Sequence, residues 1–322
     1  MARYVVGLAM WVLLIYAAPA ALAAGQGETM SPATPPVSDQ SIRPSSLAAT
    51  IGDIRFHIDG PKLWTLSGIK YQNVVMAVED SAYGTVITLD GIEHGHLGTA
   101  HFLDVPGKPG EVEKENVLDI RIFIDDKPIE LMPGVMEVSG ESFRMERKSK
   151  IRALDLESTV DVRDGVLIET SSWYATKSID LKMTYPLMYA WTPKATNYVF
   201  GDDNGIQKRG VFKKDGETAS NEGLEKMSRW MAVFNRASGK GSVCYLVKHP
   251  PDADGWLQWT DAPGVYRKLR IMSFVEKIVP EGFEGTYQSA VGFFSANESD
   301  WEQHALKRVA ELKSVAETRE KP

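Results

Sequence analysis

The sequence predicts an all-β protein, a large antiparallel β-sandwich that ends in one α-helix. Apolar and polar residues alternate along most of the chain between Ile51 and Phe294, which is the period of strands that bury one face. Turn signals separate these runs at intervals of about ten residues, as in sandwiches built from short strands. Apolar residues at helical spacing occur convincingly only near the C-terminus.

Two runs show the alternation most clearly. The first predicts one face of a strand with Leu118, Ile120, Ile122 and Ile124. The second, over residues 179–185, predicts another apolar face with Ile179, Leu181, Met183 and Tyr185. The dipeptide Asp164-Gly165 lies between two further runs and predicts a tight hairpin.

The C-terminal helix is predicted from a cap and a stripe. Ser299 and Glu302 have the S-x-x-E spacing of a capping box. An apolar stripe then recurs at helical spacing, formed by Trp301, Ala305, Val309, Leu312 and Ala316. We expect this helix to dock on a sheet and to close the domain.

The N-terminal segment has the parts of a secretory signal peptide. Arg3 gives a positive start, residues 5–16 form an apolar run, and Ala21-Leu22-Ala23 has the small-x-small pattern of a cleavage site. The apolar run is shorter than the ~20 residues that a span needs, which favours cleavage over an uncleaved anchor. We expect a signal peptide over 1–23, a flexible Pro- and Ser-rich linker over 24–46, and one β-sandwich domain over 47–322. The protein would then be periplasmic or secreted.

Charge and cysteine content narrow the classes of partner. The net charge of −7 argues against nucleic acid and anionic membranes, because both require a basic surface.

Cys244 is the single cysteine, so an intramolecular disulfide is excluded, and its apolar, strand-like neighbours favour a buried structural thiol over a nucleophile. No cysteine stands near the expected cleavage point. We therefore expect no lipid anchor. No other stretch is long and apolar enough to span a bilayer, so we also expect no stable membrane insertion after signal cleavage.

A long series of hairpins extends over residues 51–296. It includes the turn Val279-Pro280-Glu281-Gly282 and the aromatic strand after it, with Tyr287, Phe293 and Phe294, and the final helix follows. In these features the chain resembles the galactose-mutarotase-like supersandwich. This fold occurs in aldose epimerases, polysaccharide lyase domains and accessory domains of glycoside hydrolases. The resemblance implies a carbohydrate partner, although the catalytic pattern of the epimerases is not matched residue by residue.

Three of the six histidines fall within eight positions, at His94, His96 and His101. On a regular strand His94 and His96 would project from one face, where they could serve as acid and base at a sugar ring or ligate one metal ion. They could instead form hydrogen bonds on an ordinary polar face. His101 is an odd number of positions away and joins the pair only if the chain bends at Gly98. We predict catalytic roles for all three, and we expect no metal and no other cofactor.

Aromatic residues are dense between residues 173 and 200. Because aromatic rings pack on the C–H faces of sugars, Trp173, Tyr189 and Trp191 are candidates for substrate binding. A core role for these rings stays open, since large aromatics in a sandwich are more often core residues. Trp256, Trp259 and Tyr266 form a second candidate beside an expected loop. The stretch Asp202-Asp203-Asn204 could offer oxygens to Ca²⁺, but its spacing favours a polar turn.

Three functions are compatible with these observations. The first is an exported carbohydrate-active enzyme that uses His-mediated proton transfer, of the epimerase or lyase type. The alternative is a noncatalytic glycan-binding or polysaccharide-utilisation accessory protein, which needs the aromatics but not the histidines. A structural envelope protein that recognises another protein is the third. In the first two cases the partner is an oligo- or polysaccharide.

Overall fold

The computed structural model describes residues 44–319, except 61–62, 79–82, 89–93, 98–99, 106–107, 182, 224–227, 249–255 and 273–276. The chain divides into two compact units, Met1–Gln40 and Ser41–Pro322, and all described residues belong to the second. The expected signal peptide and most of the expected linker lie outside the described residues. The first strand begins at Pro44, so the last three residues of the expected linker are part of a sheet.

The described residues form 25 strands and one helix. The strands as far as Arg163 are β1 (Pro44–Ile51), β2 (Ile54–Asp59), β3 (Thr65–Tyr71), β4 (Val74–Val75), β5 (Tyr83–Thr88), β6 (His94–Leu97), β7 (Ala100–Val105), β8 (Lys108–Lys114), β9 (Asn116–Ile124), β10 (Lys127–Pro128), β11 (Gly134–Gly140), β12 (Ser142–Ile151) and β13 (Leu154–Arg163). The later elements are β14 (Val166–Ala175), β15 (Ile179–Leu181), β16 (Met183–Trp191), β17 (Asn197–Asp202), β18 (Gly205–Val211), β19 (Ser220–Gly223), β20 (Trp230–Asn235), β21 (Lys240–Lys248), β22 (Trp256–Ala262), β23 (Tyr266–Met272), β24 (Lys277–Val279), β25 (Glu284–Ser295) and α1 (Trp301–Arg319).

A ten-stranded sheet forms the centre of the fold, in the order β10-β9-β12-β13-β14-β25-β21-β20-β17-β18. Two five-stranded sheets have the orders β11-β1-β2-β3-β4 and β19-β22-β23-β16-β5. Two small sheets, β6-β7-β8 and β15-β24, complete the set. The pairs are antiparallel except β1 with β11, which is parallel. The predicted large antiparallel sandwich is confirmed.

The ten-stranded sheet buries both of its faces in its central strands. One face packs on the two five-stranded sheets, with Leu167 of β14 in the same apolar cluster as Phe56 of β2 and Leu269 of β23. The opposite face packs on the helix, where Ile168 of β14 joins a second cluster with Ala305 of α1. Adjacent residues of one strand thus enter different cores, because side chains alternate across a strand. We call the first face the inner face and the second the outer face.

The helix stripe is confirmed where it is described. Trp301, Ala305, Val309 and Leu312 are all buried against the outer face of the sheet. The helix begins at Trp301, and the backbone carbonyl of Asp300 accepts hydrogen bonds from the amides of Gln303 and His304. The N-cap is therefore Asp300, one residue later than the capping-box pattern predicts.

The hairpin at Asp164-Gly165 is confirmed, with both residues at positive φ, 54° and 70°. Two successive positive φ values give the turn type whose twist matches paired strands, and Gly165 adopts this conformation without a Cβ penalty. The neighbouring strands β13 and β14 are in register from Arg163 opposite Val166.

The two apolar faces predicted over residues 118–124 and 179–185 are correct only in part. In β9, Ile120 and Ile122 are buried, but Leu118 is 57 % exposed, because the pairing of β9 with β12 skips Leu118. This β-bulge turns Leu118 outward and Val117 inward. The second run is divided between two sheets, since β15 pairs with β24 while β16 pairs with β23 and β5.

Candidate functional site

An open groove of about 430 Å³ lies on the outer face of the ten-stranded sheet, at the end away from the hairpin turn at Asp164. Its volume is within the range of small-molecule sites, roughly 300–1,000 Å³. Strands β9, β12, β13, β14 and β25 line it, and its outward-facing side chains are those of Leu118, Lys148, Asp155, Glu157, Ser172, Tyr174, Glu284 and Thr286. We call it the Tyr174 groove.

The register of the sheet arranges these side chains in two parallel rows. In one row Lys148 lies opposite Glu157, Glu157 opposite Ser172, and Ser172 opposite Thr286. In the other row Asp155 and Glu284 stand on either side of Tyr174, with Lys150 next to Asp155. Directly opposed residues on antiparallel strands have Cβ atoms only about 5 Å apart, so each row is continuous.

Tyr174 is the exposed aromatic residue of the groove lining, with 42 % of its surface accessible, whereas Trp173 in the same lining is buried. It immediately follows Trp173, which is only 2 % exposed and packs in the inner core. The two rings therefore occupy opposite faces of β14. Strand alternation was the signal that could have identified Tyr174, because Leu167 fixes odd-numbered residues of this strand as inward.

The charges of the groove are largely paired. Lys148 Nζ lies 2.7 Å from Glu157 Oε1, and Lys150 Nζ lies 3.0 Å from Asp155 Oδ1. The hydroxyls of Ser172 and Thr286 are 3.1 Å apart, so one donates a hydrogen bond to the other. The exposed carboxylate of Glu284 has no ion-pair partner among the residues that the structure describes. The groove can thus offer a ring face, hydroxyls and one unpaired carboxylate to a ligand.

The three aromatics predicted to bind substrate are all core residues. Trp173, Tyr189 and Trp191 are 1–2 % exposed. Trp173 Nε1 donates a 2.8 Å hydrogen bond to Ser171 Oγ, and the hydroxyls of Tyr189 and Ser289 form a hydrogen bond. A ring that stacks on a sugar needs a face open to solvent, and none of these three has one. Their place in the inner core corrects the expectation of a platform on them.

A buried acid accompanies these aromatics on the inner face. Glu169 lies opposite Ser289 in the register of β14 and β25, and its surface is 0 % exposed. Neither carboxyl oxygen has a hydrogen-bond partner within the described part of the chain. Burial raises the pKa of Glu169 to about 8, because the ionised form is the one that loses hydration. The carboxyl is therefore mostly protonated at neutral pH.

Cys244 is buried, as its sequence context predicts. Its pKa is raised well above the usual value, first by burial and then by the nearby Glu169, while a hydrogen bond with Tyr189 acts in the opposite direction. A thiol that stays protonated is a poor nucleophile, which agrees with the structural role expected for it.

The three histidines lie on one β-hairpin. His94 and His96 belong to β6 and His101 to β7, and the backbone register pairs His96 with His101 and His94 with Phe102. A register shift falls between His94 and His96, so the regular alternation that would put both on one face is interrupted. His101 is instead brought opposite His96 by the antiparallel pairing.

The remaining candidates from the sequence are partly described. Trp259 is 3 % exposed and belongs to the inner core. Asp202 ends β17, and its Oδ1 accepts a 2.8 Å hydrogen bond from the amide of Asn204, which is the polar turn favoured above. Across the described residues, no group of three or more His, Cys, Asp or Glu side chains could hold a metal ion. In the same residues, no helix has both the length and the apolar character to cross a bilayer.

No protein-family model matches the chain, and no curated protein matches it. Solved structures similar to it include a galactose mutarotase related enzyme from Lactobacillus acidophilus, at 9 % identity and a TM-score of 0.42, over 79 % of this chain and 98 % of that one. A galactose mutarotase-like protein from Clostridium acetobutylicum is similar at 8 % identity and a TM-score of 0.43, over 76 % of this chain and 94 % of that one.

An α-galactosidase from Lactobacillus brevis is also similar, at 8 % identity and a TM-score of 0.47, over 78 % of this chain and 40 % of that one. The likeness to these structures is one of architecture. The activities in their names are not transferred to this chain.

Proposed function

We propose that this chain is an exported protein that binds an oligo- or polysaccharide in the Tyr174 groove. The observation that carries the proposal is a half-exposed tyrosine ring on a rigid sheet, in a groove of about 430 Å³ whose other side chains are hydroxyls and charged groups. A sugar ring needs an apolar face for its C–H groups and polar partners for its hydroxyls, and this groove offers both.

The strand positions of these groups support binding more than they support chemistry. Each side chain of the groove projects from a paired strand of the same sheet, so its position changes little when a ligand arrives. The two lysines are half-exposed and already paired with carboxylates. The proposal is therefore a noncatalytic glycan-binding or accessory protein.

The test is calorimetric titration of the folded domain with a panel of soluble oligosaccharides, using wild type and Tyr174→Ala. We expect Tyr174→Ala to weaken binding about tenfold or more, as for aromatic anchors in other interfaces. Tyr174→Phe should retain most of the affinity, because the ring face makes the contact. Val211→Ala is the matched control, since Val211 is 64 % exposed on β18 at the far edge of the same sheet. Equal affinities of wild type and Tyr174→Ala would contradict the proposal.

A second candidate function is proton transfer on a bound sugar by His94, His96 and His101. The antiparallel pairing of β6 with β7 favours it, because the backbone register sets His96 opposite His101. Replacing both His94 and His96 by Ala should abolish turnover of a glycan substrate and leave the fold intact. His304→Ala on α1 is the control, since this histidine is half-exposed beside Asp300. Unchanged turnover in the double variant would exclude this function.

A further inference from the structure

We propose that the Tyr174 groove is selective for saccharides that carry free amino groups, such as oligomers of glucosamine. This inference rests on the proposed saccharide binding and adds the chemical class of the ligand. It is drawn from the unequal numbers of acids and bases in the groove and from the position of the acid that has no partner.

The acids of the groove outnumber its bases. Asp155, Glu157 and Glu284 line it, whereas Lys148 is its one lining base. Lys150, which lies opposite Asp155 in the register, forms the 3.0 Å ion pair with it, and Lys148 forms an ion pair with Glu157. The third acid of the groove, Glu284, has no ion-pair partner among the described residues. A ligand with its own carboxylates or sulfates would meet this charge without compensation, whereas an ammonium group would neutralise it.

The position of Glu284 places its charge next to the exposed ring of Tyr174. Glu284 is the first residue of β25 and lies directly opposite Tyr174 in the register, so its carboxylate and the exposed ring are neighbours on the outer face. An ammonium group between them would gain an ion pair with the carboxylate and a cation–π contact with the ring. The same ring packs against the C–H face of the sugar that carries the ammonium. One amino sugar can therefore satisfy both neighbours at once.

A change to the ion pairs near Glu284 should change the selectivity for amino sugars. Glu157 stands in the neighbouring row and forms an ion pair with Lys148. Replacing Lys148 by Gln would leave a second free carboxylate in the groove without changing the ring. This variant should raise the preference for amino sugars, whereas loss of the Glu284 charge should lower it.

The experiment measures binding of four hexasaccharides by calorimetry at low and high salt: glucosamine, N-acetylglucosamine, glucose and galacturonate oligomers. For wild type we expect the glucosamine oligomer to bind more tightly than its N-acetylated form, by about three- to tenfold at low salt and less at high salt. Glu284→Gln should bring the ratio of the two affinities close to one. Lys148→Gln should increase the ratio.

Glu281→Gln is the matched control, because it removes the same charge from the exposed turn just before β25, outside the groove lining. It should leave the ratio as in wild type. Equal binding of the two amino sugar forms, a ratio that Glu284→Gln does not change, or tightest binding of the galacturonate oligomer would overturn the inference while the saccharide site remains. Failure of all four oligomers to bind would overturn the proposed function as well.

Discussion

Replacing Glu169 by Gln should remove a pH-dependent cost to the stability of the fold. In the folded chain this carboxyl is fully buried without a hydrogen-bond partner among the described residues, and its pKa is about 8 in place of the usual 4.5. In the unfolded chain it is solvated and ionises normally. Between these two pKa values the folded state holds one proton that the unfolded state has released, so stability falls as pH rises.

The size of the effect follows from the two pKa values. Each unit of pKa difference corresponds to about 1.4 kcal/mol, and the two states differ by about 3.5 units, which gives a maximum of about 5 kcal/mol. Below pH 4.5 both states are protonated and the cost is absent; above pH 8 both are ionised and it is constant. Between about pH 5 and pH 8 the cost grows by about 3–4 kcal/mol, a large share of a typical unfolding free energy.

The assay is urea unfolding of wild type and Glu169→Gln at a series of pH values from 5 to 8. The neutral amide has no proton to lose, so the other titrating groups cancel in the difference between the two proteins. We expect that difference to move in favour of the variant by about 3–4 kcal/mol as pH rises. Glu137→Gln, a change at an exposed position of β11, should show no such trend. A difference between wild type and Glu169→Gln that stays constant with pH would refute the reasoning.

Two further predictions concern other buried groups. Cys244 should react with a thiol reagent only on unfolding, because it is buried with a raised pKa; rapid labelling of the native protein would show that the thiol is accessible. Asp261→Asn should lower the unfolding free energy by about 3–5 kcal/mol, since the buried guanidinium of Arg267 loses the carboxylate that pairs with it. Lys208→Gln, which breaks an exposed pair with Glu222, should cost less than about 1 kcal/mol, and equal losses in the two variants would contradict this ranking.

The strands and turns were predictable because they depend on local chemistry. The Asp164-Gly165 turn follows from its two residues, and the buried positions of the helix follow from one apolar stripe. The incorrectly predicted positions have local causes that the residue pattern of a single strand does not show. Leu118 leaves its face because β9 carries one more residue than β12 at that point, and such a bulge is a property of the pair.

The sequence predicted an aromatic site, but not which aromatic residue faces solvent. Aromatic density near residue 173 pointed to the strand that carries the groove, but Trp173 faces the core and Tyr174 faces the groove. The sheet decides which of two adjacent rings meets solvent, because β14 has a core on one face and an open groove at one end of the other. The raised pKa of Glu169 was not predictable either, since it depends on the burial of the inner face by the sheets packed on it.

The sequence by itself determined the all-β class, the C-terminal helix and the buried state of the lone cysteine, because alternation, helical spacing and turn chemistry act over a few residues. It predicts export and a His-mediated reaction, and both remain predictions. Only the tertiary structure decided that Asp155, Tyr174 and Glu284, which are up to 129 positions apart in the chain, stand side by side. The physical reason is that a binding surface on a sheet depends on strand register, and register is set between strands that are distant in sequence.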